Sequence, residues 1–405
     1  MQKLLSLAQG APTWDAWQAA TRLLDGLDTD AQARAVEAFE AASGHWPTGL
    51  NPWTGFDLAP GLELRRSPEH WVKEIYSGQH APKHALVRIL ESPRKPMGPQ
   101  KLEHLLAPEA RIDRVCQVGF NQAKVSGGFL KSLKGEGPWR RWTALRMWTC
   151  DLKAPALKLL GAADLSSLTQ LNLEQNRLGE AGLEGLAKAP GLSALTAVHL
   201  GSNALDAAAA QRLGRMDWAR RLSWLCLSYN RLHDPGLEQL VGSGGLGALR
   251  TLDLSHNHVG QTTATWAQGM FGLEVLQLHN TAVTDEGLGA LLAHTPLLHT
   301  LNLDATTVGD RGAQCLANGP QRWRALSLQG TEMTAAGLGA LLQSPSAESL
   351  ERLVVGPGLD LDNARLLGDG ACPRLRHLWW NAPQLGPGVE KLLRADARIA
   401  ATLPH

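Results

Sequence analysis

From about residue 142 the 405-residue chain repeats itself ten times with a period of 24–27 residues, and no other feature constrains its fold as strongly. The unit reads LxxLxLxxNxL, followed by a small glycine-containing turn and GLxxL. Its anchors, the second apolar residue of each copy, are Leu145, Leu171, Val198, Leu225, Leu252, Leu276, Leu301, Leu326, Leu353 and Leu378, at spacings of 26, 27, 27, 27, 24, 25, 25, 27 and 25. A period of this length marks one supersecondary unit per copy, which buries its apolar side only by stacking on its neighbours.

Each position of the unit has a physical reason. The LxL pair alternates with period two, so its leucines point to one side of a short strand and the residues between them point to the other. Each copy therefore adds one strand to a parallel sheet. The later GLxxL, as in Gly182-Leu183 with Leu186 or Gly287-Leu288 with Leu291, places two leucines on one helix face, where they close the core from behind. Helices are wider than strands, which predicts a horseshoe with the sheet on the concave side and the helices on the convex side. The position five residues after the anchor is Asn176, Asn203, Asn230 and Asn257, then Thr281, Thr306 and Thr331, with Cys150 in the first copy. These small polar side chains are expected to form a structural ladder at the strand exits, bonding backbone groups of the turns. The change from Asn to Thr coincides with the shortening of the period, so two sub-families of repeat are expected.

These residues give the chain its resemblance to the leucine-rich-repeat proteins, and the helical GLxxL makes it similar to their ribonuclease-inhibitor-like class. The resemblance covers roughly residues 110–405. It implies an α/β leucine-rich-repeat solenoid whose work is binding other proteins. The short Thr-type copies, such as Leu301-Asn-Leu303-Asp-Ala-Thr306, also resemble bacterial arrays, which with the Ala/Gly/Arg/Trp-rich composition suggests a bacterial source.

A solenoid needs caps. Residues 386–405 read as a C-terminal capping helix, and residues 111–133 as a degenerate copy with Val115 and Val118 in its strand, so that the array spans 111–385. Residues 1–110 are expected to be a mainly helical N-terminal domain. It comprises a hairpin over 12–43, a Pro/Gly/Trp-rich connector over 44–61, and further helix within 68–106.

Composition excludes several functions. With 44% hydrophobic and 19% charged residues the chain packs a core. No apolar run is long enough to span a membrane, and the start lacks the pattern of a signal peptide, so a cytoplasmic protein is expected. Five dispersed cysteines indicate neither a disulfide framework nor a zinc site. A net charge of +1 makes nucleic acid an unexpected partner. The charge is uneven: residues 61–146 carry +8 between acidic flanks, which suits either an acidic partner or a solvated surface.

Catalytic signatures are missing from the sequence. His80 and His84 are four apart, but Pro82 separates them and no HExxH glutamate is present. No metal, cofactor or enzymatic centre is expected. The residues flanking the LxL leucines line the concave sheet face, and that face is polar with a few large aromatics. Trp224 and Tyr229 lie in one central copy, flanked by His199, Asp253, His256 and His279, with Asn302 and Asp304 further along; Trp, Tyr and Arg are the residues that dominate interface energetics. These eight are the expected partner-binding residues. Arg146 with Trp148, and His377 with Trp379, are explained equally well by packing against caps. Cys226, Asp253 and Gln277 share one column of types suited to a metal, yet an open sheet offers no closed coordination geometry. A protein-interaction scaffold binding its partner on the concave face is the leading expectation. The alternatives are a regulator of a partner enzyme such as a small GTPase, and an enzyme housed in residues 1–110 whose substrate the repeats select.

Overall fold

The computed structural model describes residues 2–9, 65–66, 89–91, 117–120, 122–260, 265–356, 358–380 and 387–395, with isolated positions between 19 and 38. Apart from those isolated positions, the hairpin expected over 12–43 lies outside the described residues, as do the connector over 44–61 and His80 and His84. The chain divides into two compact units, Met1–Asn176 with Ala189–Ala194, and Arg177–Lys188 with Leu195–His405.

The first unit holds strands β1 (Arg65–Arg66), β2 (Ile89–Glu91), β3 (Gln117–Gly119), β4 (Ala144–Arg146) and β5 (Gln170–Asn172), all parallel and paired in chain order. Its helices are α1 (Gln2–Gln9), α2 (Gly127–Ser132) and α3 (Ala154–Gly161). Val118 pairs with Leu145 and Leu145 with Leu171, so the degenerate copy shares the register of the clear ones. The pairing extends upstream: Leu90 aligns with Val118 and Arg66 with Leu90. Strands therefore occur at 65–66 and 89–91, inside the stretch the sequence presents as helical. A strand of two or three residues with one apolar anchor, or none at Arg65–Arg66, carries no visible period.

The second unit holds β6 (Ala197–His199), β7 (Trp224–Cys226), β8 (Thr251–Asp253), β9 (Val275–Gln277), β10 (Thr300–Asn302), β11 (Ala325–Leu328), β12 (Arg352–Val355) and β13 (His377–Trp380), again parallel and in chain order. The anchors from Val198 to Leu378 all fall opposite one another. Its helices are α4 (Gly179–Leu186), α5 (Ala207–Gly214), α6 (Asp234–Gly242), α7 (Asp285–His294), α8 (Asp310–Asn318), α9 (Ala335–Leu342), α10 (Leu361–Gly368) and α11 (Pro387–Ala395). Side chains of Asp206, Thr284, Thr334 and Asp360 cap four of these helices at their N-termini. The 24-residue copy departs from the pattern. Between β8 and β9 the described residues form only a 3-10 turn, Thr265–Ala267, which packs on α6 and α7. At the helix position that copy reads QTTATWAQGM over 261–270, with no GLxxL there.

The ladder residues behave in two ways. Asn230 accepts from the backbone N–H groups of Asn203 (3.0 Å) and Leu205 (2.9 Å) in the preceding copy, and its amide donates to the carbonyls of Leu200, Leu227 and Ser228. Asn176 does the same toward Cys150, Leu152 and Met147. Asn257 accepts from Leu232 (3.0 Å), and Asn203 from Leu178 (3.4 Å). The hydroxyls of Thr281, Thr306 and Thr331 instead donate to the carbonyls three residues earlier in their own copy, at 2.7, 2.6 and 2.9 Å. The Cys150 thiol donates to the Phe120 carbonyl at 2.9 Å.

A second tie between copies lies at the helix entrance, beside the asparagine bond after the Leu225 copy and in its place in the first two Thr copies. Asp234, Asp285 and Asp310 open their helices and accept from the N–H groups of Gly260 (2.6 Å), Gly309 (2.7 Å) and Thr334 (2.8 Å) in the following copy. The glycine of GLxxL makes room for this contact. A Cβ at Gly287 would stand 2.7 Å from the Gly260 carbonyl oxygen, and one at Gly337 would collide with the Asp310 carboxylate.

Candidate functional site

The sheet face opposite the helices carries the residues between the buried leucines. In the second unit the strand-like pairing continues past the formal strand ends. The N–H of Tyr229 donates to Ser255 O (2.9 Å), that of His256 to His279 O (2.8 Å), and that of Asn280 to Asp304 O (2.8 Å). These three residues hold left-handed backbone, with φ of 54°, 56° and 51°. The same position is Gly330 three copies after His256, with φ 68°. Left-handed backbone costs a bulky residue about 1–2 kcal/mol relative to its ordinary conformations, and the pairing on either side is what imposes it here.

Those backbone positions project a ring cluster. Tyr229 is 58% exposed, and its ring stacks on His256 with centroids 3.8 Å apart and planes 13° from parallel. His256 meets His279 edge to face at 4.7 Å. The Asn280 amide nitrogen lies 2.8 Å from His256 Nδ1. His279 Nδ1 is buried with no hydrogen-bond partner among the described residues. Partial burial, aided by the neighbouring His279 and opposed by Asp253, holds the His256 pKa below its ordinary value. One copy back, His199 and Trp224 form a tilted ring pair at 5.9 Å.

The flanking polar residues are tied down. Asp253 accepts from the Ser255 N–H at 2.9 Å and from the Cys226 thiol at 3.3 Å, and Cys226 also lies 3.1 Å from Ser228 Oγ. Burial, reinforced by the Asp253 charge, raises the Cys226 pKa well above its usual range. Asn172, Asp253 and Asn302 each accept from the N–H two residues on, at 2.7, 2.9 and 2.8 Å, and the His199 ring does so at 3.2 Å. Asp304 binds the Ser327 hydroxyl and the Gln329 N–H, both at 2.7 Å.

The eight expected binding residues thus separate into groups. Tyr229, His256 and His279 touch, with Asp253 close by, and His199 pairs with Trp224. Asn302 accepts from the Asp304 N–H, and Asp304 bonds to Ser327 and Gln329 of the next copy. Asn280 is a site residue the expectation omitted. Its column was legible, but its hydrogen bond to His256 crosses copies and has no sequence signal. No group of three or more His, Cys, Asp or Glu able to hold a metal occurs among the described residues. No helix there is long and apolar enough to cross a membrane. Trp379 is 55% exposed on β13, beside the exposed His377. Most of the basic 61–146 stretch before residue 117 is outside the described residues.

Comparison with known proteins agrees with this architecture. A leucine-rich-repeat family model matches residues 164–187 and 249–262. No curated protein matches the chain. Among solved structures, an internalin from Listeria monocytogenes is similar with a TM-score of 0.50 and 15% identity, covering 82% of this chain and 88% of that one. At that identity the likeness concerns the fold alone. Taken with the tenfold period and the alternation of strand and helix, it gives this chain the fold of a leucine-rich-repeat solenoid.

Proposed function

We propose that the chain is a non-enzymatic scaffold that recognises a protein partner on the open sheet face of its second unit, with Tyr229 at the centre. The observation that carries the reading is Tyr229 itself. A large aromatic ring is held in solvent on left-handed backbone that a glycine would adopt more cheaply, and it is stacked on a second ring. Nothing in the packing of the repeat requires that ring. A rigid exposed aromatic loses little conformational freedom on binding, which suits an interface anchor. Trp224, His199, Asp253 and His279 belong to the same surface; Asn302 and Asp304 extend it toward later copies.

The helices between strands favour the ribonuclease-inhibitor-like class within the repeat family. Buried thiols at Cys150, Cys226 and Cys372, none in a disulfide, favour a reducing, cytoplasmic setting. A bacterial source, and an acidic partner for the 61–146 stretch, are further parts of the proposal that rest on sequence alone.

The test is affinity capture from the source organism with mass spectrometry, comparing the wild type with a Trp224→Ala, Tyr229→Ala, His279→Ala triple variant of unchanged melting midpoint. Loss of one abundant co-purifying protein in the variant is the expected result. Recovery of the same proteins with both, or of none with either, overturns the reading.

A further inference from the structure

We infer that the Tyr229 platform is proton-controlled, formed while His256 is neutral and rearranged when it is protonated. Its role as a control on recognition rests on the function proposed above; the switch itself is a property of the free protein. The argument begins at one hydrogen bond. An amide nitrogen can only donate, so the Asn280 Nδ2 contact at 2.8 Å makes His256 Nδ1 the acceptor and leaves the ring's proton on Nε2. A proton arriving at Nδ1 sets two donors against each other. The contact then breaks, or the Asn280 amide turns over to present its oxygen.

Of the surroundings, Asp253 and the stacked Tyr229 face favour the added charge, while burial and His279 oppose it. Three copies supply the groups facing His256: Tyr229 from the preceding one, Asp253 from its own, and His279 and Asn280 from the following one. His279 meets it edge-on at 4.7 Å and, as a neighbouring ring of like charge, disfavours the charged form of His256. Asp253 is the only carboxylate in that set, and its oxygens already serve Ser255 and Cys226. The Tyr229 ring, stacked at 3.8 Å, rests on His256 and moves with it.

The sign follows. A histidine whose folded pKa lies below its unfolded one contributes stability that is complete above about 6.5 and is lost as pH falls through the folded value. Acid therefore loosens the platform and neutral pH assembles it.

The chain has two tyrosines, Tyr76 and Tyr229, which makes the experiment direct. The full-length protein carrying 13C-labelled tyrosine and histidine rings is titrated by NMR, with Tyr76→Phe assigning the tyrosine signals and His256→Gln those of His256. Three results are expected. His256 is in the Nε2–H form at pH 7.5 and titrates below 6.5; the Tyr229 ring signals shift with the same midpoint; and His279→Gln raises that midpoint. A Tyr229 ring that stays unmoved while His256 titrates, or a His256 midpoint at or above 6.5, overturns the proposal. Because no partner enters the measurement, failure of the capture experiment leaves this result standing, and the reverse also holds.

Discussion

Asn230 closes five backbone hydrogen bonds with one side-chain amide, two of them to N–H groups of the preceding copy. Thr306, in the equivalent place, closes one, to its own copy. Asn230→Ala strands several buried backbone groups and is expected to cost about 3 kcal/mol, whereas Thr306→Val costs about 1 kcal/mol; urea midpoints of the two variants, at unchanged slope, check the difference. Thiol chemistry gives a second measurement. Burial pushes the Cys150 pKa up to about 12 and that of Cys226 well above its usual range. At pH 8 in the native protein both are expected to resist iodoacetamide and to react after denaturation, as peptide mass spectrometry would show; rapid native labelling of either contradicts the burial. At this scale the Asn/Thr column was readable because its spacing from the anchor is fixed. Its division into bridging and local bonds was not. That depends on side-chain reach, which residue type suggests only once the neighbouring copy is in place.

At the scale of elements, the helix entrances take over the work the threonines leave undone. Asp285→Ala removes the acceptor of the Gly309 N–H and is expected to cost about 1–2 kcal/mol. Gly337→Ala forces a methyl against Asp310 and disturbs its bonds to Thr334, for about 1–3 kcal/mol. Thermal midpoints of the two single variants check both, and an unchanged midpoint in Gly337→Ala would mean that the helix sits further from its neighbour than described. The leucines of GLxxL were legible as a helix face; the glycine was legible only as a turn residue. Its actual reason, clearance for a carboxylate or carbonyl from the preceding copy, requires knowing which residues stack. The two early strands stayed hidden for a related cause, since Arg65–Arg66 has no apolar anchor to mark it.

Across the whole chain the period fixes the register, and a register error would turn every leucine outward. Leu254 is fully buried while Asp253 is partly exposed on the sheet face. Leu254→Asp buries an unpaired charge and is expected to abolish hydrogen-exchange protection in β7–β9, with the loss fading over successive copies, because each repeat is stabilised mainly by its neighbours. Asp253→Ala loses only the bonds to Ser255 and Cys226 and should leave protection in β7–β9 in place. Equal loss in both variants would contradict the pairing of Leu225, Leu252 and Leu276. The period put Tyr229, His256 and His279 in neighbouring copies; what it could not supply is how their rings meet, stacked in one pair and edge to face in the other, across 23–27 residues of sequence.

The two ways of tying copies together also limit how the array can be recombined. Copies joined by asparagine and copies joined by aspartate do not present matching connectors, so a module moved from one group into the other would leave donors unanswered at both of its seams. The seam between the copies anchored at Leu225 and Leu252 carries both connectors, Asn257 with Leu232 and Asp234 with Gly260. It is the adaptor at which a shortened, lengthened or hybrid array can be spliced.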